Sequence, residues 1–340
     1  MSIFSLLRQL NAAFPGKELA RHQQWVEGAS STDGSGEVDH AELVKEYYEI
    51  CTEFMVFGWS ESLHFAPLSP RLSLEESQIR HQRSIIESLE LEAGMQVIDV
   101  GCGIGGPMRR VAREAGVHVL GVNINEHQLN RAKALNEEAE IGHMVDYLGA
   151  SFMDMSAIAD STFDRAYAIE STCHAPDKEG AFAEIFRVLK PGALFWGQEM
   201  CMTDVFDPGD SRHQEIKAEL KRGIALREIA TTGEVNRALE AVGFELVEGQ
   251  DQGLAQPGAS TPWYQPMLSY RGTRRGSVSR SPLGRQALLA GARLAEWLRI
   301  LPDGSASVIS MMDRTARAYV AGGQTGIFTP LYCFLARKPL

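Results

Sequence analysis

The chain lacks any long apolar run. No stretch of about 18 apolar residues occurs, so no membrane-spanning helix is predicted. The opening segment, MSIFSLLRQLNAAFPGKEL, has too short an apolar part for a secretory signal peptide, and no cleavage site follows it. We therefore expect a cytoplasmic protein that is not secreted, and peripheral membrane contact is left open.

Basic charge and paired cysteines are also scarce. The chain has 33 Lys and Arg against 44 Asp and Glu, which gives a formal net charge of −11 and argues against a nucleic-acid binder. The five cysteines form no Cys-x-x-Cys pair, so they are typical of reduced thiols and predict neither a disulfide framework nor a metal site. With 340 residues, 44% of them hydrophobic, the chain is predicted to fold around a large core.

Strand and helix patterns alternate through the middle of the chain. Strands are predicted at 95–100, 117–124, 145–148, 163–170, 193–202 and 244–251, with helices at 105–116, 126–140, 178–192 and 231–243. This alternation predicts parallel βαβ units in an α/β doubly wound sheet. After residue 251 it stops, and two helical patterns precede a last strand in GIFTPLYCFLARKPL. We interpret residues 251 to about 325 as an insertion before the last strand of the same sheet.

The segment before the first strand has weaker signals. STDGSGEVDH is typical of a linker, and a helix is predicted from Ala41 to Cys51. Ser73 and Glu76 have the spacing of a capping box and predict the start of another helix. Between these helices lies FMVFGWSESLHF, which is rich in aromatic residues and has no clean period.

A glycine loop follows the first strand, in VIDVGCGIGGP. Gly101, Gly103 and Gly106 match the spacing of a dinucleotide site, but Asp99 lies where that motif is normally apolar. The second strand ends near Asn123, where NAD binding requires an acid. These features favour S-adenosylmethionine (SAM). The alternatives are a dinucleotide cofactor and a glycine turn that binds no ligand.

Several longer segments together resemble the sterol C-24 (side-chain) methyltransferases. These segments are HFAPLSPRLSLEESQIRHQ, IDVGCGIGGPMRRVA, GVNINEHQLNRAKALN, YAIESTCHAPDKEGAFAEIFRVLKPGALF, PWYQPM and GIFTPLYCFLARKP. The resemblance implies a Rossmann-like class I methyltransferase with a seven-stranded, mostly parallel sheet. It also implies SAM as donor, S-adenosylhomocysteine (SAH) as product and a sterol side-chain alkene as acceptor. The layout is more distantly similar to the cyclopropane-fatty-acid synthases.

The resemblance also implies a division of the chain and a donor site. Residues 1–80 would form a helical lid segment, 81–250 the SAM-binding core, 251–325 a substrate lid and 326–340 the last core strand. The residues expected at the donor are Asp99, Gly101, Cys102, Gly103, Gly105, Asn123, Ile124, Gln128, Ser151, Phe152 and Phe65. The family usually has Asp in place of Ser151, so we expect an altered donor affinity.

Methylation of an alkene leaves a tertiary carbocation, and a 1,2-hydride shift and loss of a proton then complete the product. The site therefore needs aromatic faces and a base. Glu170 and His174 follow the fourth strand and are the first candidates for base and proton relay. His64 matches a His-Phe pair of the family, and Glu199 is a third candidate base. For these residues the alternatives are a loop hydrogen bond for His64, a helix cap for Glu170 and a solvent-facing position for Glu199.

Aromatic residues are expected to contact the substrate, namely Phe57, Trp59, Trp263 and Tyr264. The family has approximately Tyr-Glu-Tyr-Gly-Trp-Gly in place of residues 55–60, so the loss of polar groups there predicts a change in substrate or regiochemistry. The alternatives are methylation of another sterol position or of another isoprenoid or lipid alkene, and a non-catalytic lipid- or SAM-binding protein. A homo-oligomer is left open.

Overall fold

A computed structural model describes residues 40–254, 261–268, 280–301 and 303–340. The expected linker near Ser31 and most of the basic segment that starts at Arg271 lie outside the described residues.

A seven-stranded sheet forms the centre of the fold, in the order β3-β2-β1-β4-β5-β7-β6. Neighbouring strands from β3 to β5 pair in parallel, whereas β7 is antiparallel to both β5 and β6. The predicted doubly wound sheet, with its last strand formed by the end of the sequence, is therefore confirmed. The strands are β1 (Gln96–Val100), β2 (His118–Asn123), β3 (Val145–Gly149), β4 (Phe163–Ile169), β5 (Leu189–Met202), β6 (Glu245–Asp251) and β7 (Phe328–Arg337).

Ten α-helices occur within the described ranges. Two 3₁₀ turns, Gly142–Met144 and Thr172–His174, also occur there. The helices are α1 (His40–Gly58), α2 (Leu74–Ser88), α3 (Gly106–Ala115), α4 (Glu126–Glu138), α5 (Lys178–Val188), α6 (Ser211–Gly223), α7 (Thr232–Ala241), the short α8 (Gln265–Leu268), α9 (Pro282–Trp297) and α10 (Ser305–Thr325). The capping box predicted from Ser73 and Glu76 is present at the start of α2.

Two boundaries and one helix differ from the prediction. Helix α1 continues to Gly58 instead of ending at Cys51, because Tyr47, Cys51 and Phe54 form one buried stripe at helical spacing. Helix α6 was not predicted, since only Ile216 and Leu220 give it a buried apolar face. Strand β5 begins at Leu189, so Lys190, Pro191 and Gly192 belong to the strand and not to the preceding helix.

The carboxyl ends of β1, β2 and β4 meet at one edge of the sheet, and the remaining elements cover that edge. The loop after α1 packs so closely on α3 that a Cβ on Gly106 would lie 2.7 Å from the backbone oxygen of Glu61. Helix α10 packs on α6, α9 and α1. None of the described helices is long and apolar enough to cross a membrane.

Candidate active site

A large, mostly apolar cavity of about 1050 Å³ lies at the carboxyl edge of the sheet. Pockets for a single small molecule usually enclose about 300–1,000 Å³. The cavity reaches the ends of β1, β2 and β4 on one side and is closed by residues of α1, α9 and α10 on the other. Its size is therefore sufficient for a nucleotide-sized ligand together with a second, apolar molecule.

The glycine loop forms the first wall. Gly101 and Gly103 have φ angles of 86° and 53°, a region that favours glycine. A Cβ on Gly101 would collide with the Ser171 side chain, whereas one on Gly103 would meet no atom within 4 Å. The loop thus presents bare backbone to the cavity, as close contact with a ligand requires.

The Asp99 carboxyl lies at the base of this wall. Burial raises its pKa to about 7, although the Tyr167 hydroxyl donates a 2.9 Å hydrogen bond to Oδ2. A cationic group beside the carboxyl would favour its charged form. SAM carries such a group, its amino-acid ammonium, so the residues present fit this donor.

Two side-chain amides form a second wall. Asn123 Nδ2 donates to Gln128 Oε1 at 2.9 Å, and Gln128 Nε2 donates to Thr52 Oγ1 of α1 at 2.9 Å. Amides both donate and accept, so this pair has the chemistry to bind ribose hydroxyls. The pair also connects α1 to the donor end of the cavity.

The residues predicted for the donor line the cavity, with one exception. Gly105 does not line the cavity but forms the N-cap of α3, with a φ of 75°. The others line the cavity: Asp99, Gly101, Cys102, Gly103, Asn123, Ile124, Gln128, Ser151, Phe152 and Phe65.

Glu170 lies immediately after β4 and lines the cavity at its middle. Its backbone has a φ of 53°, which is unusual for a residue other than glycine. Oε1 accepts hydrogen bonds from the Phe65 N–H and from Gln198 Nε2, both at 2.6 Å. Oε2 has no hydrogen-bond partner among the described residues. Burial raises the pKa of the carboxyl to about 8.

His174 also lines the cavity, one turn beyond Glu170. The Tyr48 hydroxyl and His174 Nε2 lie 2.9 Å apart, and the two rings meet edge-on. This pair could carry a proton away from Glu170.

His64 has both ring nitrogens in hydrogen bonds. Nδ1 donates to the Phe65 oxygen at 2.7 Å, and Nε2 accepts from Gln82 Nε2 at 2.9 Å. Burial lowers the pKa of the imidazole to about 3, so it is neutral at ordinary pH. This arrangement favours a positioning role over proton transfer.

Glu199 does not line the cavity. It is fully buried beside Lys178, whose Nζ lies 2.9 Å from Oε2, and Oε1 accepts a hydrogen bond from Thr172 Oγ1. Because both carboxyl oxygens already have partners and neither faces the cavity, this location argues against the predicted role. The alternative of a solvent-facing side chain is wrong.

The aromatic residues predicted to contact substrate do not all reach the cavity. Trp59 lines it and packs on Phe65, with ring centroids 5.0 Å apart. Trp263 is buried behind Phe65 and Tyr319, and Tyr264 packs on Trp263, so neither lines the cavity. The side chain of Phe57 lies outside the described residues.

Four further residues around Glu170 were not predicted from the sequence as part of the site. Tyr48 and Tyr319 line the cavity from α1 and α10, while His81 Nε2 donates to Gln198 Oε1 at 2.7 Å. Gln198 could have been found, because a glutamine inside the apolar strand LFWGQEMCM requires buried partners. The two tyrosines gave no such signal, since each lies on a helix with an ordinary apolar stripe.

Comparison with known proteins assigns the family. The model for "Methyltransferase domain" matches residues 98–197, and the model for "Sterol methyltransferase C-terminal" matches residues 277–340. The chain is similar to a cycloartenol-C-24-methyltransferase of Arabidopsis thaliana, with 39% identity over 94% of both proteins. It is also similar to the sterol 24-C-methyltransferase ERG6 of Saccharomyces cerevisiae, with 35% identity over 88% of this chain and 79% of that protein.

Solved structures agree on the fold. The mycolic acid cyclopropane synthase CmaA1, complexed with SAH and CTAB, has a TM-score of 0.65 at 18% identity and covers 89% of this chain and 99% of its own. The [4+2]-cyclase SpnF has a TM-score of 0.66 at 22% identity, over 88% of this chain and 97% of its own. With its glycine-lined donor end, its Rossmann-like sheet and relatives that cover nearly its whole length, the chain is a SAM-dependent C-methyltransferase and belongs to the sterol 24-C-methyltransferase family.

Proposed function

We propose that this enzyme methylates a C=C bond in the side chain of a sterol, of the C-24 type, and that Glu170 removes the proton that completes the product. The observation that carries the proposal is the place of Glu170. It lines the same cavity as the glycine loop, it precedes Ser171, whose side chain packs on Gly101, and burial raises the pKa of its carboxyl to about 8.

The donor would be held by the residues of the glycine-loop wall and the amide pair. SAM, when bound, supplies an electrophilic methyl group. Asp99 would hold the ammonium, the loop backbone the carboxylate, and Asn123 with Gln128 the ribose. Ser151 would accept from the adenine more weakly than the aspartate of the family.

The cation that forms on the acceptor requires nearby π faces and little water. Tyr48, Trp59, Phe65 and Tyr319 line the cavity around Glu170. The Phe65 ring lies 5.1 Å from that of Tyr319 and 5.0 Å from that of Trp59, which gives this part of the wall a continuous aromatic surface.

Glu170 would then act as base through Oε2. The hydrogen bonds from Phe65 N–H and Gln198 Nε2 to Oε1 hold the carboxyl in place and favour its charged form. A positive charge nearby lowers the pKa further, so the presence of a cationic donor prepares the base. His174 and Tyr48 would pass the proton onward.

The alternative acceptors are another sterol position or another isoprenoid or lipid alkene. One observation favours these alternatives. Met55 lines the cavity at a position where the family usually has tyrosine, so the wall that contacts the acceptor differs from that of the usual family member. A panel of Δ24 sterols, linear triterpenes and unsaturated fatty acyl substrates, analysed by mass spectrometry, separates these functions. Methylation of the Δ24 sterols alone supports the proposal, and methylation of only the other classes contradicts it.

We also propose that helix α9 rests on a membrane surface while its inner face lines the cavity. Its outward residues Leu283 and Trp297 are 83% and 78% exposed, and Leu294 is 56% exposed. Ile300 is 49% exposed and also lines the cavity, so the exposed apolar face continues to the cavity entrance. This position fits a lipid substrate that enters from a bilayer, and it fits the proposed division in which residues 251–325 act as a lid.

Flotation with vesicles tests this contact. Exposed Arg293 beside the apolar face predicts stronger binding to vesicles with anionic lipid. The double variant Trp297→Ser/Leu294→Ser should lose vesicle binding and keep methyl transfer to detergent-dispersed sterol. Unchanged vesicle binding by the double variant contradicts the proposal. A concentration-dependent dimer that the double variant abolishes also contradicts it, because the exposed face would then be an interface between two copies of the chain.

A further inference from the structure

An ion pair lies in the wall of the otherwise apolar end of the cavity. Arg285 of α9 and Asp313 of α10 both line the cavity, with side chains 12% and 3% exposed. Arg285 Nε donates to Asp313 Oδ1 at 2.6 Å. Burial of charged groups is unfavourable, and an ion pair of this kind is weak evidence for stability alone.

The pair retains unused hydrogen-bonding capacity. Arg285 Nη1 donates to the backbone oxygens of Met267 and Arg280, while Nη2 has no hydrogen-bond partner among the described residues. Asp313 Oδ2 accepts from Gln286 Nε2 at 3.2 Å and pairs with Arg317 Nη2 at 2.7 Å. A carboxylate has about four acceptor positions, so three donors leave it able to accept one more.

The pair is displaced from the reacting centre along α10. Tyr319 packs on Phe65, whose N–H binds Glu170, and Asp313 precedes Tyr319 by six residues. At about 1.5 Å per residue, six residues correspond to about 9 Å along the helix axis. Ala316 and Thr315 lie between them and also line the cavity, so α10 forms the cavity wall from Tyr319 to Asp313.

A sterol has one hydroxyl, at the opposite end of a rigid ring system from its side chain. We propose that Arg285 and Asp313 bind this hydroxyl, with Arg285 Nη2 as donor to its oxygen and Asp313 as acceptor of its proton. This inference rests on the proposed function and makes it more specific. The pair selects a group that both donates and accepts, and thereby fixes which alkene carbon reaches Glu170.

The test compares four Δ24 sterols that differ only at C-3: the 3β-hydroxyl, the ketone, the methyl ether and the 3-deoxy compound. Because the deoxy compound loses both hydrogen bonds to the charged pair, its kcat/KM should fall about 10- to 100-fold, mainly through KM. The ketone and the methyl ether, which can only accept, should lie between the hydroxyl and the deoxy compound. Equal kcat/KM for all four overturns the inference, whereas methylation of none of them contradicts the proposed function instead.

Variants then assign the effect to the pair. In Asp313→Leu and in Arg285→Met, which remove the acceptor and the donor respectively, the ratio of kcat/KM for hydroxyl over deoxy sterol should fall towards one, whatever the total activity. A purely structural pair would lower both substrates alike and leave the ratio unchanged, which would overturn the inference. Arg317→Gln is the matched control, because Arg317 is exposed and contacts only the outer oxygen Oδ2, and its ratio should stay that of the parent. If these variants fail to fold, the milder variants Asp313→Asn and Arg285→Lys replace them, and the same ratio should then be lowered in part, whereas an unchanged ratio would overturn the inference.

Discussion

The backbone N–H of Phe65 donates a 2.6 Å hydrogen bond to Oε1 of Glu170, across 105 positions of sequence. This bond joins the segment that follows α1 to the end of β4. The loop that covers the cavity and the proposed base therefore share one hydrogen-bond network, with Gln198 as a further donor to the same oxygen.

The first prediction concerns the base itself. Glu170→Gln keeps the size of the residue and an acceptor for Phe65 N–H but cannot take a proton. General bases typically contribute about 10²- to 10⁴-fold, so kcat should fall by that factor while SAM affinity, measured by calorimetry, stays within a few-fold. The control is Glu199→Gln, which should leave the kcat of folded enzyme almost unchanged. A kcat for Glu170→Gln equal to that of the parent would exclude Glu170 as the base.

The pH dependence follows from the raised pKa of Glu170. The carboxyl must be deprotonated to act, so kcat/KM should rise with pH and level off above about 8. A bound cationic donor lowers the pKa, so the inflection in kcat should lie below that in kcat/KM. The hydrogen bond from Gln198 lowers the pKa, so Gln198→Met should move the inflection to higher pH. A flat profile between pH 6 and pH 9 would contradict this account.

Two buried histidines predict acid lability. Burial lowers the pKa of His64 to about 3 and that of His81 to about 4, while unfolded His titrates near 6.5. The unfolded state therefore binds more protons below pH 6.5, and these two groups reduce stability as pH falls from about 6.5 towards 4.

Glu170 acts in the opposite direction, because its raised pKa favours the folded state at low pH and this contribution is lost as pH rises from about 4.5 to 8. The measurement is urea denaturation at several pH values. His81→Gln should flatten the acid side of the profile, and an unchanged slope would contradict the assignment.

The ion pair of Lys178 and Glu199 predicts a stability effect. Lys178→Met removes the cation and leaves a buried carboxylate, which should cost about 3–5 kcal/mol of the free energy of unfolding. Lys178→Met/Glu199→Gln should recover much of this loss, because no unpaired charge remains. Denaturation of the three variants and the parent forms a double-mutant cycle. If the double variant were destabilised by the sum of the losses in Lys178→Met and in Glu199→Gln, the pair would not be coupled and the account would be contradicted.

Ser151 predicts a change in donor affinity. Ser151→Asp introduces the charged acceptor that the family usually has at the adenine, and a charge-assisted hydrogen bond is roughly twice as strong as a neutral one. SAM should therefore bind about 5- to 10-fold more tightly by calorimetry, with Ser151→Ala as the control that weakens it. If SAM bound to Ser151→Asp no more tightly than to the parent enzyme, the expected contact between residue 151 and the adenine amino group would be contradicted.

Much of this architecture could be predicted from local patterns. The strands β1 to β7 were predicted from local strand patterns, and the glycine loop with Asp99 directly preceded α3, because each feature depends on neighbouring residues only. The Phe65–Glu170 bond and the Lys178–Glu199 pair could not be predicted, since nothing local in the sequence shows which charges meet. Trp263 and Tyr264 were assigned to the substrate because a buried aromatic and a substrate-facing one have the same pattern. Only the packing of Trp263 behind Phe65 and Tyr319 distinguishes them.

The most direct test of the central claim is transfer of a labelled methyl group. Purified enzyme is incubated with SAM that carries a trideuterated methyl group and with a Δ24 3β-hydroxysterol, and the product is analysed by mass spectrometry and NMR. The account predicts a deuterium-labelled one-carbon unit attached at C-24 of the sterol. Tight binding of SAM with no label in any Δ24 sterol would contradict it.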